Sequence, residues 1–282
     1  MGTPEMDIYQ AMDFFAEIGL EGIEVRCAEN GQMHLETITD DEVARIREHA
    51  QKAGIAFACL TPYYRDFMTP DAAESTLADY ELACRIAQEL DCPTVRAISG
   101  TWPQEGGAVA AGSDRLLSPG HERAEVFEKT AAGLRLAADL AADHGVRLAV
   151  ETHRGQLAFS AAETVEFVEA VNHPALGVLW DHYWVHVAGQ EDAQEALELL
   201  APHLVHVHAK NIRFHEDGSH ETVLLDEGEL DWCEIVAGLA SVGYDGYISD
   251  EYEKFWKPDL PEPEVGMKRN AEVLRDCLGR LR

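Results

Sequence analysis

Residues 204–210 read Leu-Val-His-Val-His-Ala-Lys, and these positions carry two incompatible surfaces. Side chains alternate across a strand, so His206, His208 and Lys210 share one face while Val205, Val207 and Ala209 share the other. Small and β-branched residues at every second position suit a face packed under helices. The imidazoles and the amine must then point into the interior or mouth of a barrel. An exposed strand would carry the same pattern innocently. Enclosed imidazole, however, is a natural ligand for divalent metals. His206 sits deeper, where a hydrogen-bonded core histidine is the ordinary alternative.

Working outward, similar short apolar or β-branched runs occur at 22–26, 55–60, 94–98, 147–152, 176–181 and 246–251. Helical patterns separate them, at about 7–19, 40–53, 71–90, 121–144, from a capping-box pattern at Ser160–Glu163, and at 190–200, 231–242 and 264–281. The order is a helix followed by strand and helix in strict alternation, which implies parallel strands with crossover helices. A doubly wound sheet is the rival, but no Gly-x-Gly-x-x-Gly follows a strand. Polar residues gather instead at the C-terminal ends of several strands, the arrangement from which an α/β barrel builds a site. The expected fold is a (β/α)8 TIM barrel formed as a single domain by residues 1–282. Only seven strands can be counted against eight helices, so the first barrel strand is expected to be missing. Residues 1–6 cannot replace it, because Gly2 and Pro4 are poor strand residues. The strands from Gly22 and Gly246 should then face a gap. The Gly/Ala/Ser-rich stretch 99–120 reads as a loop beside a site or a tolerated insertion.

Four strand ends carry candidate chemistry. Alternation puts Ala149, Glu151 and His153 on one face, and a carboxylate ending an apolar strand is costly to bury unless paired or metal-bound. A glutamate capping the next loop would read the same. Asp181 ends Leu-Trp-Asp-His-Tyr-Trp, where a turn or helix cap is the plain alternative. Ser249, Glu251 and Glu253 share a face, and such neighbouring carboxylates repel unless a cation lies near. Their bland reading is a salt bridge at Glu251 and an exposed Glu253. Together Glu151, Asp181, His208 and Glu251 end four consecutive strands that converge on one mouth. Three carboxylates and an imidazole suit one Mn²⁺, Mg²⁺, Co²⁺ or Zn²⁺ ion. The absence of cysteine from the set argues against a structural zinc site.

The stretches LAVETH (148–153), GVLWDHYW (177–184), HVHAKN (206–211), LDEGELDW (225–232) and GYDGYISDEYEKFWKPDLPEPEV (243–265) resemble the sugar phosphate isomerase/epimerase family, the xylose isomerase-like barrels. The GIEVR opening is also similar, so the resemblance covers nearly the whole chain, with its specificity after residue 145. It implies one divalent metal held by Glu151, Asp181, His208 and Glu251. It further implies proton transfer beside a carbonyl through a metal-stabilised enediolate, with Glu151 and Glu251 as the acid/base pair. Lys210 is a candidate to polarise a substrate oxygen or bind an anionic substituent. Lys210 in a salt bridge to Glu251 or Glu253 is the competing assignment. His153, His182, His206 and Trp256 are the expected substrate contacts, with Trp256 folded over the mouth against the site or a partner subunit. Arg96 and Glu24 are weaker pocket candidates and read more as structural than as catalytic residues. Many relatives place a histidine two or three residues after the aspartate. Here Tyr183 and Trp184 stand there, and His182 or His186 would have to substitute. The implied activity is isomerisation or epimerisation of a sugar, sugar phosphate or cyclitol. Dehydration of a keto-cyclitol or a dehydroshikimate-like acid is the alternative, and a catalytically degenerate binding subunit a further one.

Composition narrows the partners. Lys plus Arg total 22 against 52 Asp plus Glu, a formal net charge of −30. That surplus opposes binding to nucleic acid or anionic lipid and disfavours a DNA-repair endonuclease on the same scaffold. No apolar run approaches the ~18 residues of a membrane span, and MGTPEMDIYQ lacks the basic and apolar regions of a signal peptide. Six scattered cysteines without a CxxC pair read as reduced, mostly buried thiols, and the cytoplasm as the compartment. The partner is expected to be a small carbohydrate, and a homo-oligomer is compatible with the sequence.

Overall fold

The computed structural model describes residues 1–101, 122–189 and 191–281. Most of the loop expected at 99–120 lies outside the described residues. The elements run α1 (Ile8–Glu17), β1 (Gly22–Arg26), α2 (Asp40–Ala53), β2 (Ala56–Thr61), α3 (Pro70–Glu89), β3 (Thr94–Ala97), α4 (Arg123–Asp143), β4 (Arg147–Glu151), α5 (Ala161–Val171), β5 (Leu176–Asp181), α6 (His182–Gly189), α7 (Ala193–Leu200), β6 (Leu204–Ala209), β7 (Asn211–Phe214), β8 (His220–Val223), α8 (Trp232–Ser241), β9 (Ile248–Asp250) and α9 (Pro263–Gly279).

Local chemistry explains the boundaries. Asp7 and Gln10 form a reciprocal capping box at α1, and Ser160 and Glu163 form another at α5. Each pair satisfies backbone donors that the first helical turn leaves without partners. Thr39 caps α2, whose first turn carries Asp40, Asp41 and Glu42 at its positive end. That helix stops at Gly54, where φ is 73°, a left-handed value glycine adopts without a Cβ clash.

β1, β2, β3, β4, β5, β6 and β9 pair in that order, all parallel, in one seven-stranded sheet. The helices pack on its outside and bury Val25, Leu60, Val95, Val150, Val178 and Val207. The described strands therefore make a TIM barrel that is nearly closed. Among the described residues β1 bonds only to β2, and β9 only to β6, so the arc is open beside the 22–26 strand as the sequence predicts. A cavity of about 800 Å³ occupies the opening, lined on its two edges by Ile23, Val25, Ile248 and Asp250. Side chains bridge it where backbone does not: Glu24 of β1 reaches His206 and His208 of β6.

Three features differ from the sequence reading. β7 and β8 form an antiparallel hairpin outside the barrel, with Asn211 opposite Val223. The helix expected at 190–200 is α7, and a further helix, α6, starts directly after Asp181. Cys233 and Cys277 are a disulfide between α8 and α9, with Cα atoms 4.7 Å apart, so the expectation of six reduced thiols fails there. Those cysteines lie 44 residues apart, and only the packing of α8 on α9 brings them together. Cys27, Cys59, Cys84 and Cys92 are free and buried. Among the described residues, no helix is long and apolar enough to cross a membrane.

Candidate metal centre

Glu151 ends β4, Asp181 ends β5, His208 lies one residue before the end of β6, and Glu251 follows β9 directly. In the parallel register Asp181 faces His208, and His208 faces Ser249. One oxygen or nitrogen from each of Glu151, Asp181, His208 and Glu251 lies within 4.8 Å of the others.

For three of these groups the protein holds one polar atom and leaves the other facing the centre. The Arg96 guanidinium donates to Glu151 Oε2 at 3.0 Å. The Tyr183 amide donates to Asp181 Oδ1 at 3.1 Å. His208 Nε2 donates to Glu24 Oε1 at 2.8 Å. The remaining atoms, Glu151 Oε1, Asp181 Oδ2, His208 Nδ1 and Glu251 Oε2, are buried without a hydrogen bond. His208 Nδ1 stands 3.3 Å from Glu151 Oε1 and 3.2 Å from Glu251 Oε2. Lys210 Nζ makes ion pairs with Asp181 Oδ2 at 2.8 Å and Glu251 Oε2 at 2.6 Å, without the angles of a hydrogen bond. Thr152 steadies Asp181, its hydroxyl accepting from the Asp181 amide at 2.8 Å and lying 3.1 Å from the Asp181 carbonyl.

Buried polar atoms that lack hydrogen bonds cost free energy unless a charge unites them. Three carboxylate oxygens and an imidazole nitrogen are a hard-to-borderline donor set that fits a divalent cation such as Mn²⁺, Mg²⁺, Co²⁺ or Zn²⁺.

The electrostatics are those of a crowded acidic pocket. Burial opposes ionisation of Glu151, but Arg96 and His208 overcome it and hold the carboxyl down at about 2. Burial raises Asp181 to about 7, with the Lys210 ammonium opposing. Burial disfavours charge on His208 and Lys210, yet the surrounding carboxylates keep both well above their ordinary ranges. Burial likewise works against Glu251, and His208 and Lys210 hold it low.

The other sequence candidates are placed unevenly. Lys210 sits in the centre, flanked by the rings of Tyr183 at 5.0 Å and Trp184 at 5.3 Å. His206 lies deeper, with Nε2 2.7 Å from Glu24 Oε2 and 2.9 Å from Ser249 Oγ. His153 is half-buried, its ring 4.7 Å from Trp184, and its Nδ1 donates to the Arg154 carbonyl. Trp256 stays 49% exposed at the rim, against Phe255 and 5.6 Å from the Arg26 guanidinium. His182 does not join the cluster. Alternation turns it away from Asp181, and its buried ring lies 5.1 Å from Trp180 and 5.9 Å from His186. Arg96 and Glu24, only weaker pocket candidates from the sequence, are the direct partners of Glu151 and His208. Tyr183 and Trp184, noted only for not being histidine, are the walls around Lys210.

Burial pushes the His182 imidazole down to about 3, from the ordinary 6.5 of a free imidazole. Between those values the unfolded chain binds the proton and the folded chain does not. Stability is therefore complete above pH 6.5 and lost as pH falls toward 3. From pH 7 to pH 5 the loss from this residue is about 2 kcal/mol, at ~1.4 kcal/mol per pKa unit. Urea unfolding of wild type and His182→Gln at both pH values checks this. Wild type should lose about that much more than the variant, and equal losses would remove His182 as the cause.

A nearly closed parallel barrel with an acidic, histidine-containing cluster at its strand ends defines a class of protein. The chain belongs to the xylose isomerase-like TIM barrel family, whose model matches residues 12–277. It is 24% identical over 188 residues to the 2-oxo-tetronate isomerase of Pectobacterium atrosepticum, a match covering 65% of this chain and 63% of that protein. The chain spans from about half to just under two thirds of the length of the curated relatives it matches, 52% and 63%. Among solved structures it resembles a xylose isomerase-like TIM barrel protein from Mycobacterium smegmatis in complex with magnesium (TM-score 0.76, 17% identity, covering 99% of this chain and 92% of that one). It also resembles D-psicose 3-epimerase with D-tagatose from Clostridium cellulolyticum H10 (TM-score 0.72, 18% identity, covering 99% and 94%). At these identities the likeness is one of fold.

Proposed function

We propose that the protein is a divalent-cation-dependent isomerase or epimerase of a small carbohydrate, acting by proton transfer at a carbon next to a carbonyl. The observation that carries this reading is the convergence of four buried polar atoms without hydrogen bonds, two of them on glutamates. Glu151, Asp181, His208 and Glu251 would hold the cation. Once bound, it would supply positive charge that stabilises negative charge developing on the substrate's carbonyl oxygen.

The chain's own residues do the rest. Glu151 and Glu251 take and return the proton, since carboxylates held beside the reacting carbon are effective general bases. Arg96 fixes the rotamer of Glu151 through Oε2. Lys210 carries its ammonium between Asp181 and Glu251 and can donate to a substrate oxygen. The rings of Tyr183 and Trp184 shield that ammonium from water. His153, His206 and Trp256 remain proposed substrate contacts, whereas His182, facing away, does not. The isomerase relative and the family's barrel support this chemistry.

The test is a set of ketoses, aldoses and inososes incubated with the protein and Mn²⁺ in D₂O and followed by NMR. Deuterium should enter at the carbon beside the carbonyl of a converted substrate. Conversion with complete retention of the original C–H hydrogen would contradict proton transfer. Deuterium entry accompanied by loss of water would assign the dehydratase reaction instead.

A further inference from the structure

Glu24 is not among the four converging groups, yet it touches one of them. It projects from β1, at one edge of the barrel opening, with Ile23 and Val25 buried on the opposite face toward the helices. Its carboxylate crosses to β6, where Oε1 lies 2.8 Å from His208 Nε2 and Oε2 lies 2.7 Å from His206 Nε2. The two imidazoles stand nearly perpendicular, at 85°, so one carboxylate is gripped from two directions.

An ionised carboxylate only accepts hydrogen bonds, so the hydrogen of His208 facing Glu24 is on Nε2. A cation that displaces the remaining ring proton then meets the lone pair at Nδ1. Nδ1 is the nitrogen that has no hydrogen bond and lies beside Glu151 and Glu251.

We propose that Glu24 is a positioning residue for the metal centre: it fixes the tautomer and ring orientation of His208 so that Nδ1 faces the cation, while His206 keeps the Glu24 carboxylate from turning. This rests on the reading of Glu151, Asp181, His208 and Glu251 as metal ligands. A carboxylate behind a ligating histidine raises the ligand's basicity and removes the entropy of ring rotation, and losing such a partner weakens metal binding 10–100-fold.

A purely structural tie across the opening is the competing role, and two measurements separate them. Mn²⁺ affinity is measured by calorimetry, and apo-protein melting by circular dichroism, for wild type, Glu24→Gln and Glu24→Ala. Glu24→Gln keeps the side-chain shape should Glu24→Ala fail to fold. Its amide offers one acceptor where two are needed, so one histidine faces a donor. The expected result is one Mn²⁺ per wild-type chain and at least a 10-fold weaker Kd in folded Glu24→Gln. Wild-type affinity in a folded variant whose melting temperature alone has fallen would overturn the positioning role and leave the four-ligand reading intact. Two Mn²⁺ per wild-type chain, with one lost in Glu24→Gln, would overturn it differently, making Glu24, His206 and His208 ligands of a second cation. No Mn²⁺ binding by wild type would remove the four-ligand reading and this inference with it.

Discussion

Glu251→Gln is expected to lower kcat by about 10²–10⁴-fold, the range associated with loss of a general acid or base. Glutamine has nearly the same shape and still offers an oxygen toward Lys210 and the cation site. It cannot accept the substrate proton. With Mn²⁺ saturating the variant, the loss should fall on kcat, with KM changed far less, because the proton transfer removed belongs to the transition state. Glu151→Gln should show a loss of the same order. It should also cost stability, because Arg96, buried and donating to Glu151 Oε2, would face a neutral amide. Steady-state kinetics on the substrate found by deuterium exchange gives both numbers. Wild-type turnover in either variant would remove that residue from the proton-transfer pair.

Lys210→Met is expected to destabilise the metal-free protein by about 3–5 kcal/mol, the usual result of deleting one partner from a buried ion pair. The Lys210 ammonium lies 2.8 Å from Asp181 Oδ2, 2.6 Å from Glu251 Oε2 and 3.8 Å from Glu253 Oε1, and it is buried. Without it those carboxylates repel one another. A divalent cation at the same centre would relieve that repulsion, so Mn²⁺ should raise the melting temperature of the variant more than that of wild type. Thermal melts with and without Mn²⁺ check both parts. A variant as stable as wild type without metal would show that Lys210 does not neutralise the cluster.

The barrel was legible because its signals are local and repeat. Strands such as Leu204–Ala209 alternate small apolar residues with polar ones, and helix starts such as Ser160–Glu163 carry their own caps. Glu151, Asp181, His208 and Glu251 could be grouped because strand ends of a parallel barrel meet at one mouth. What depends on long-range packing was not legible. The hairpin Asn211–Val223 has short, polar strands with no apolar alternation, and Asp217-Gly218 was its only turn signal. Helix α6 follows the strand with no loop between them, and Asp181, whose Oδ1 accepts from the Tyr183 amide, is both the strand end and the cap, so one residue hides the boundary. The Cys233–Cys277 bond depends on how α8 meets α9. Glu24 looked structural because its partners lie on a strand that β1 does not pair with. His182 is the instructive error. The same alternation that groups Glu151 with His153 turns residue 182 away from Asp181, toward Trp180.

Glu151, Asp181, His208 and Glu251 are proposed to hold one divalent cation. Anomalous diffraction from crystals grown with Mn²⁺ tests it most directly. The account predicts one strong peak, at about 2.0–2.3 Å from an oxygen of each carboxylate and from Nδ1 of His208. No peak at the cluster in crystals whose Mn²⁺ binds elsewhere, or a peak bound through His208 Nε2 with Glu151 and Glu251 outside its coordination sphere, would contradict it.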